Sequence, residues 1–182
     1  MTVEGYGDHR LICKCGSEIT IDRHDGVANQ LAKWLKKVGV IEMETRAPFN
    51  PEEPHPPHTR ERPGDVAVTW SLGTTTEKVW IDVVVVHQHL YNSEENYEDN
   101  KLEVAAAKKR TKYQDLFVSN SRFVPFVLAS SGELGVDAWT FVDNIVSRLT
   151  SVSGSSKGIK RQLMTDIQCA LQQGNASMLT SH

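Results

Sequence analysis

"KVWIDVVVVHQ", residues 78–88, decides how the rest of the chain is read. Side chains on a strand alternate between faces. Trp80, Asp82, Val84 and Val86 therefore share one face, and Ile81, Val83 and Val85 share the other. Both faces are apolar apart from Asp82, which is the pattern of a central strand covered on two sides. A carboxylate in such a place needs a hydrogen bond, a counter-charge or a metal. Upstream, "RPGDVAVTW" at 62–70 reads as a second strand and carries Asp65 near its start. The polar turn "SLGTTTE" joins the two, so a hairpin can bring Asp65 and Asp82 together.

The chain has 182 residues and a formal net charge of -3. Its 39% hydrophobic and 24% charged residues are ordinary for a globular domain with a real core. No apolar run approaches the roughly 20 residues needed to span a bilayer, so no membrane partner is expected. "MTVEGYGDHR" lacks a basic-then-apolar leader, and three cysteines do not form a disulfide framework, so an intracellular place is expected. The near-neutral charge argues against a strong nonspecific grip on nucleic acid, although local basic patches matter more than the total.

Around the hairpin, residues 1–24 read as a small Cys/His knuckle or hairpin. A helix is expected after Asp25 as N-cap, with Val27, Leu31, Trp34, Leu35 and Val38 at helical spacing and Gly39 as its stop. "VIEMET" at 40–45 alternates as a strand does. The following loop has six prolines between 48 and 63. "KLEVAAAKKRTKYQDLF" at 101–117 is a helix by propensity. "RFVPFVLAS" at 122–130 is a strand that Pro125 bends or puts near an edge. An amphipathic helix spans 135–149. "TSVSGSSKG" reads as a flexible linker to a last helix at about 159–172. The expectation is an α/β (α+β) fold, with the main domain at 25–150 and an appended linker and helix at 151–182.

Two nearby carboxylates repel each other, and a divalent cation removes that repulsion. Mg²⁺ is commonly held by one or two carboxylates plus phosphate and water, and lowers the pKa of a bound water. Such a site also wants a cation to orient the water. It would commonly stand two residues after the second acid, where this chain has Val84. Helix 101–117 offers a substitute. Leu102, Ala106, Lys109, Tyr113 and Phe117 form one stripe, so Lys109 can reach back over the strands to the acids. The plain alternatives are a snorkelling Lys109 and acids that cap a helix or pair with Arg62 or Arg110.

Six motifs in order, "YGDHRLIC" (6–13), "RHDGVANQL" (23–31), "RPGDVAV" (62–68), "IDVVV" (81–85), "KRTKY" (109–113) and "FVPFVLASSGELGVDA" (123–138), resemble a known family. It is the PD-(D/E)XK superfamily, and within it the restriction-like endonuclease domain near the C-terminus of non-LTR retrotransposon and reverse-transcriptase-like proteins. The resemblance covers roughly residues 6–149. It implies an αβββαβ core with a mixed central sheet flanked by helices, and Asp65 and Asp82 as ligands of Mg²⁺ or Mn²⁺. It further implies a lysine moved onto the next helix, Lys109 first and Lys112 second, and an assisting acid on the first strand, Glu44 ahead of Glu42. The chain departs from the family at Gly64, inserted between Pro63 and Asp65, at Asp25 where Asn is usual, and at Ala129 where Glu is common. It carries no polymerase motifs, so the resemblance implies part of a retroelement polyprotein or a domesticated copy, nuclear if a retroelement product.

His9, Cys13, Cys15 and His24 offer a tetrahedral Zn²⁺ set, with Cys-x-Cys an awkward spacing. The alternative is that Cys13 is buried and His9 and His24 hydrogen-bond locally. His55 and His58 read as surface residues and His87 and His89 as strand-end residues. Phosphate contacts on DNA would come from Arg60, Arg62, Lys108, Arg110 and Lys112, and would carry no sequence information. Lys33, Lys36 and Lys37 read as a solvated helix face. A homodimer is a further possible partner arrangement. The leading expectation is a metal-dependent DNA endonuclease; the second is a non-catalytic descendant that binds nucleic acid or protein.

Overall fold

A computed structural model describes residues 17–45, 64–87, 101–114, 121–153 and 156–180. Among these the chain forms α1 (Ser17–Leu35), β1 (Val40–Thr45), β2 (Gly64–Leu72), β3 (Thr75–Val86), α2 (Lys101–Tyr113), β4 (Ser121–Ala129), α3 (Val136–Ser153) and α4 (Ser156–Thr180). The expected αβββαβ order is present, followed by two more helices. The sheet is mixed, in the order β1-β2-β3-β4. β1, β2 and β3 pair antiparallel, and β4 runs parallel to β3 after α2 carries the chain across.

β3 is central, as its two apolar faces require. Val79, Ile81 and Val83 are buried in a large core with Val66, Val68, Phe126 and Leu128. That core is closed by α1, α3 and α4 through Leu31, Phe141 and Leu163 among others. Val84 and Val86 face the other way and pack with Leu102 and Ala106 of α2, beside Val127 and Ala129. The sheet thus lies between a three-helix layer and a single helix. β4 is an edge strand, which is where a proline such as Pro125 fits without breaking a ladder. The hairpin ladder runs further than the polar turn suggests, to Leu72 opposite Thr75. The β-branched Thr75 and Thr76 suit a pleated strand.

The helices at both ends depart from the expectation. α1 begins at Ser17 rather than after Asp25, so Asp25 lies inside the helix and is not its cap. The part of the expected knuckle from Ser17 onward is therefore helical. α3 continues to Ser153 and α4 occupies Ser156–Thr180, so most of the expected linker is helix. Leu163, Ile167 and Leu171 are completely buried in the main core, and α4 is part of it.

α4 holds α1 at Arg23, ahead of the expected cap at Asp25. Buried Arg23 donates from Nη1 to Asn175 Oδ1 at 3.2 Å, and Asn175 Nδ2 donates to the Ser130 carbonyl at 2.9 Å. Gly174 lets the two helices approach this closely. A Cβ there would lie 2.6 Å from both Cα and Cβ of Arg23. Glycine inside a helix is worse than alanine by about 1 kcal/mol on propensity alone. Here overpacking wins, and Gly174→Ala is expected to lower stability by about 1–3 kcal/mol rather than raise it, as urea unfolding would measure.

Candidate functional site

The hairpin register brings the acids together. The last paired residues are Val66 and Ile81, and one position further the same count sets Asp65 against Asp82. Gly64 permits the close approach at this point. A Cβ on it would lie 2.9 Å from the Ile81 carbonyl oxygen, so the small residue before Asp65 is a packing requirement. Asp65 Oδ2 accepts the Val83 backbone N–H at 2.7 Å. The start of β2 and the central strand β3 are thereby tied through the carboxylate itself.

Asp82 is only 5% exposed, on the face of β3 that α2 covers. One turn after buried Ala106, Lys109 places Nζ 2.8 Å from Asp82 Oδ2. The ammonium supplies the counter-charge, but it stands off the line that a hydrogen bond to Oδ2 needs. Burial pushes the Asp82 carboxyl above the ordinary aspartate range; the Lys109 ammonium opposes this and Asp65 reinforces it. Lys109 also lies 5.8 Å from the centre of the Tyr113 ring, which packs edge-on against Phe123 at 5.1 Å. Val84, where a lysine might have stood, is occupied in packing beneath α2.

The fourth member is His24 on α1. Its Nε2 stands 3.0 Å from Asp65 Oδ2 and its Nδ1 2.9 Å from Asp25 Oδ1. The bond to Asp65 raises its pKa to about 9, against burial and with help from Asp25. At neutral pH the imidazolium donates from both nitrogens. The groups run His24, Asp65, Asp82 and Lys109, two acids between two cations, with Asp25 as a further acid on His24.

His24 was offered either as one member of a Zn²⁺ set or as a local hydrogen-bonding residue; both of its ring nitrogens are engaged by carboxylates, the neighbouring Asp25 and the distant Asp65. His9, Cys13 and Cys15 lie outside the described residues, as do Arg60, Arg62, His55, His58 and His89. Reading the helix as starting later hid the role of His24. With α1 extended, positions 24, 28 and 31 fall on one side at helical spacing, so His24 stands at the rim of the buried stripe.

Glu44 lies in β1, but its side chain is outside the described set. Glu42 pairs with Lys78 at 2.9 Å. Lys108 is exposed. Arg110 is held by Glu103 on its own helix and by Asp137 of α3. It does not meet the paired acids. Lys112 Nζ donates to the Tyr113 hydroxyl at 3.1 Å. Lys37 lies 3.6 Å over the Trp34 ring. His87 Nδ1 bonds Ser130 Oγ at 2.7 Å at the strand end, where a strand-end role was expected.

Among the described residues, no group of three or more His, Cys, Asp or Glu side chains is placed to hold a metal. Mg²⁺ does not require three protein ligands. Asp82 Oδ2, buried beside an ammonium without a directed donor, is the kind of atom a divalent cation satisfies, and Asp65 faces it across the hairpin. The donor set fits a hard cation that keeps most of its water. No family model matches the chain, and no curated protein is similar to it at a significant level.

Two outcomes follow for the metal-free protein. The His24 pKa lies above its ordinary 6.5. Its charged bonds thus add stability that is complete below about pH 6.5 and is lost as pH rises through about 9. Urea titrations in EDTA across that range should show the decline, and His24→Gln should flatten it. Lys109→Met should destabilise by about 3 kcal/mol by stranding Asp82. Adding Asp82→Asn to that variant should restore much of the loss.

Proposed function

We propose that this chain is a divalent-metal-dependent DNA endonuclease of the restriction-like type its motifs resemble. The observation that carries the reading is the Lys109 ammonium 2.8 Å from buried Asp82, with Asp65 opposite on the neighbouring strand. That ammonium reaches the acids from the inward face of a third element, where the resemblance puts the lysine of the site. Magnesium or manganese as cofactor, DNA as partner, a retroelement polyprotein as source and a nuclear place of action belong to the same proposal.

In this reading Asp65 and Asp82 would hold the cation. When bound, it would offset charge on the phosphate and make a water acidic enough to attack. The Val83 N–H fixes the Asp65 carboxylate and limits its freedom to turn away. Lys109 sits within donor range of Asp82 and can direct one N–H to the attacking water while keeping its charge beside the phosphate. Glu44 on β1 would assist from the outer strand. Arg60, Arg62, Lys108 and Lys112 would meet phosphates along the strand. Arg110 already has two carboxylate partners and contributes less there.

A second reading has its own support. Asp65 has His24 as its partner and Asp82 has Lys109, without any metal, as a non-catalytic binding domain would need. Supercoiled plasmid separates the two. With Mg²⁺ the wild-type chain should nick, and Asp82→Ala and Lys109→Met should each lower the rate by about 100-fold or more. Equal nicking by wild type and Asp82→Ala would sink the site assignment. Binding of DNA without nicking would favour the second reading.

A further inference from the structure

A cavity of about 360 Å³ opens directly beside the acid pair, between α1 and the start of β2. Asp65 and His24 line it as well as belonging to the site. Its remaining walls include Ile21, Ala28 and Asn29 from α1 and Met43 from β1. Ile21 is 54% exposed and Met43 42% exposed, although both are large and apolar. The Asn29 side-chain amide has no hydrogen-bond partner among the described residues. We propose that this cleft holds one unpaired nucleobase of the substrate, next to the phosphate at Asp65 and Asp82. The enzyme would then select single-stranded or locally unpaired DNA. This inference rests on the nuclease reading for its substrate class.

Four features choose a base over other occupants. The volume is at the lower end of small-molecule sites and suits a single nucleoside rather than a base pair. Asp25 and Asp65 outnumber the His24 cation on the wall, so a phosphate is disfavoured inside the cleft while a neutral ring is accepted. The apolar side chains of Ile21 and Met43 can cover the face of a ring, and a methionine sulfur favours aromatic contacts. Asn29 offers a donor and an acceptor side by side, as a base edge does. A base inside a duplex must first be unstacked and unpaired to enter, whereas a single-stranded or bulged base avoids most of that penalty.

The test uses oligonucleotides of one sequence as duplex, as single strand and as duplex with one unpaired nucleotide. Binding is read by fluorescence anisotropy in Ca²⁺, and cleavage by end-labelled products in Mg²⁺. The wild-type chain should prefer the unpaired forms by about ten-fold or more in binding, given the unstacking penalty. Ile21→Trp, which fills the cleft from an exposed position, and Asn29→Leu should each bring that ratio close to one. Circular dichroism and unfolding midpoints establish that both variants are folded. Equal affinity of the wild type for duplex and unpaired DNA would overturn the inference, as would a preference that survives both variants. A wild-type preference for unpaired DNA that Ile21→Trp abolishes, with no cleavage by the wild type, would support the base cleft while removing the catalytic reading.

Discussion

A carboxylate buried in the middle of a sheet has to be given a counter-charge, and Asp82 is such a carboxylate. Its place on β3 selects the face on which a cation must arrive. α2 meets that demand because it crosses the same face on its way from β3 to β4. Leu102 and Ala106 hold the helix down, and Lys109 stands one turn beyond them. The crossover also makes β4 parallel to β3, which sets Pro125 beside Asp82 at the sheet edge. Packing, topology and electrostatics are solved here by one connection.

The other half of the site depends on elements remote in sequence. Asp65 is positioned by the close approach at Gly64 and held by the Val83 N–H. Its basic partner His24 comes from α1, whose early turns lie against α4 at the contact between Arg23 and Gly174. The C-terminal helix is therefore connected to the acid pair through α1. It is continuous with the main core through Leu163, Ile167 and Leu171. An appended helix would have no such consequence for His24.

Much of the architecture was legible in residue patterns. The two apolar faces of 80–86 mark a central strand, and alternation alone separates Asp82 from Ile81 and Val83. The stripe through Leu102, Ala106 and Tyr113 places Lys109 on the inward side of its helix, where it meets Asp82. The helix ends were less legible. The last helix was expected to stop near residue 172, yet it continues, with Gly174 serving a helix contact and Asn175 bonding the Ser130 carbonyl. Arg110 looked available for phosphate, because Asp137 is 27 positions away and gives no local sign of pairing with it.

By itself the sequence determined which side chains share a face, because strand and helix periods follow from backbone geometry. That was enough to single out two acids on adjacent strands and a lysine aimed back at them. The partnership of His24 with Asp65, the capture of Arg110 by Glu103 and Asp137, and the cleft beside the acids were decided only in the tertiary structure. Each depends on how α1, α3 and the sheet approach one another. Such approaches arise from packing between residues far apart in the chain, and no local period encodes them.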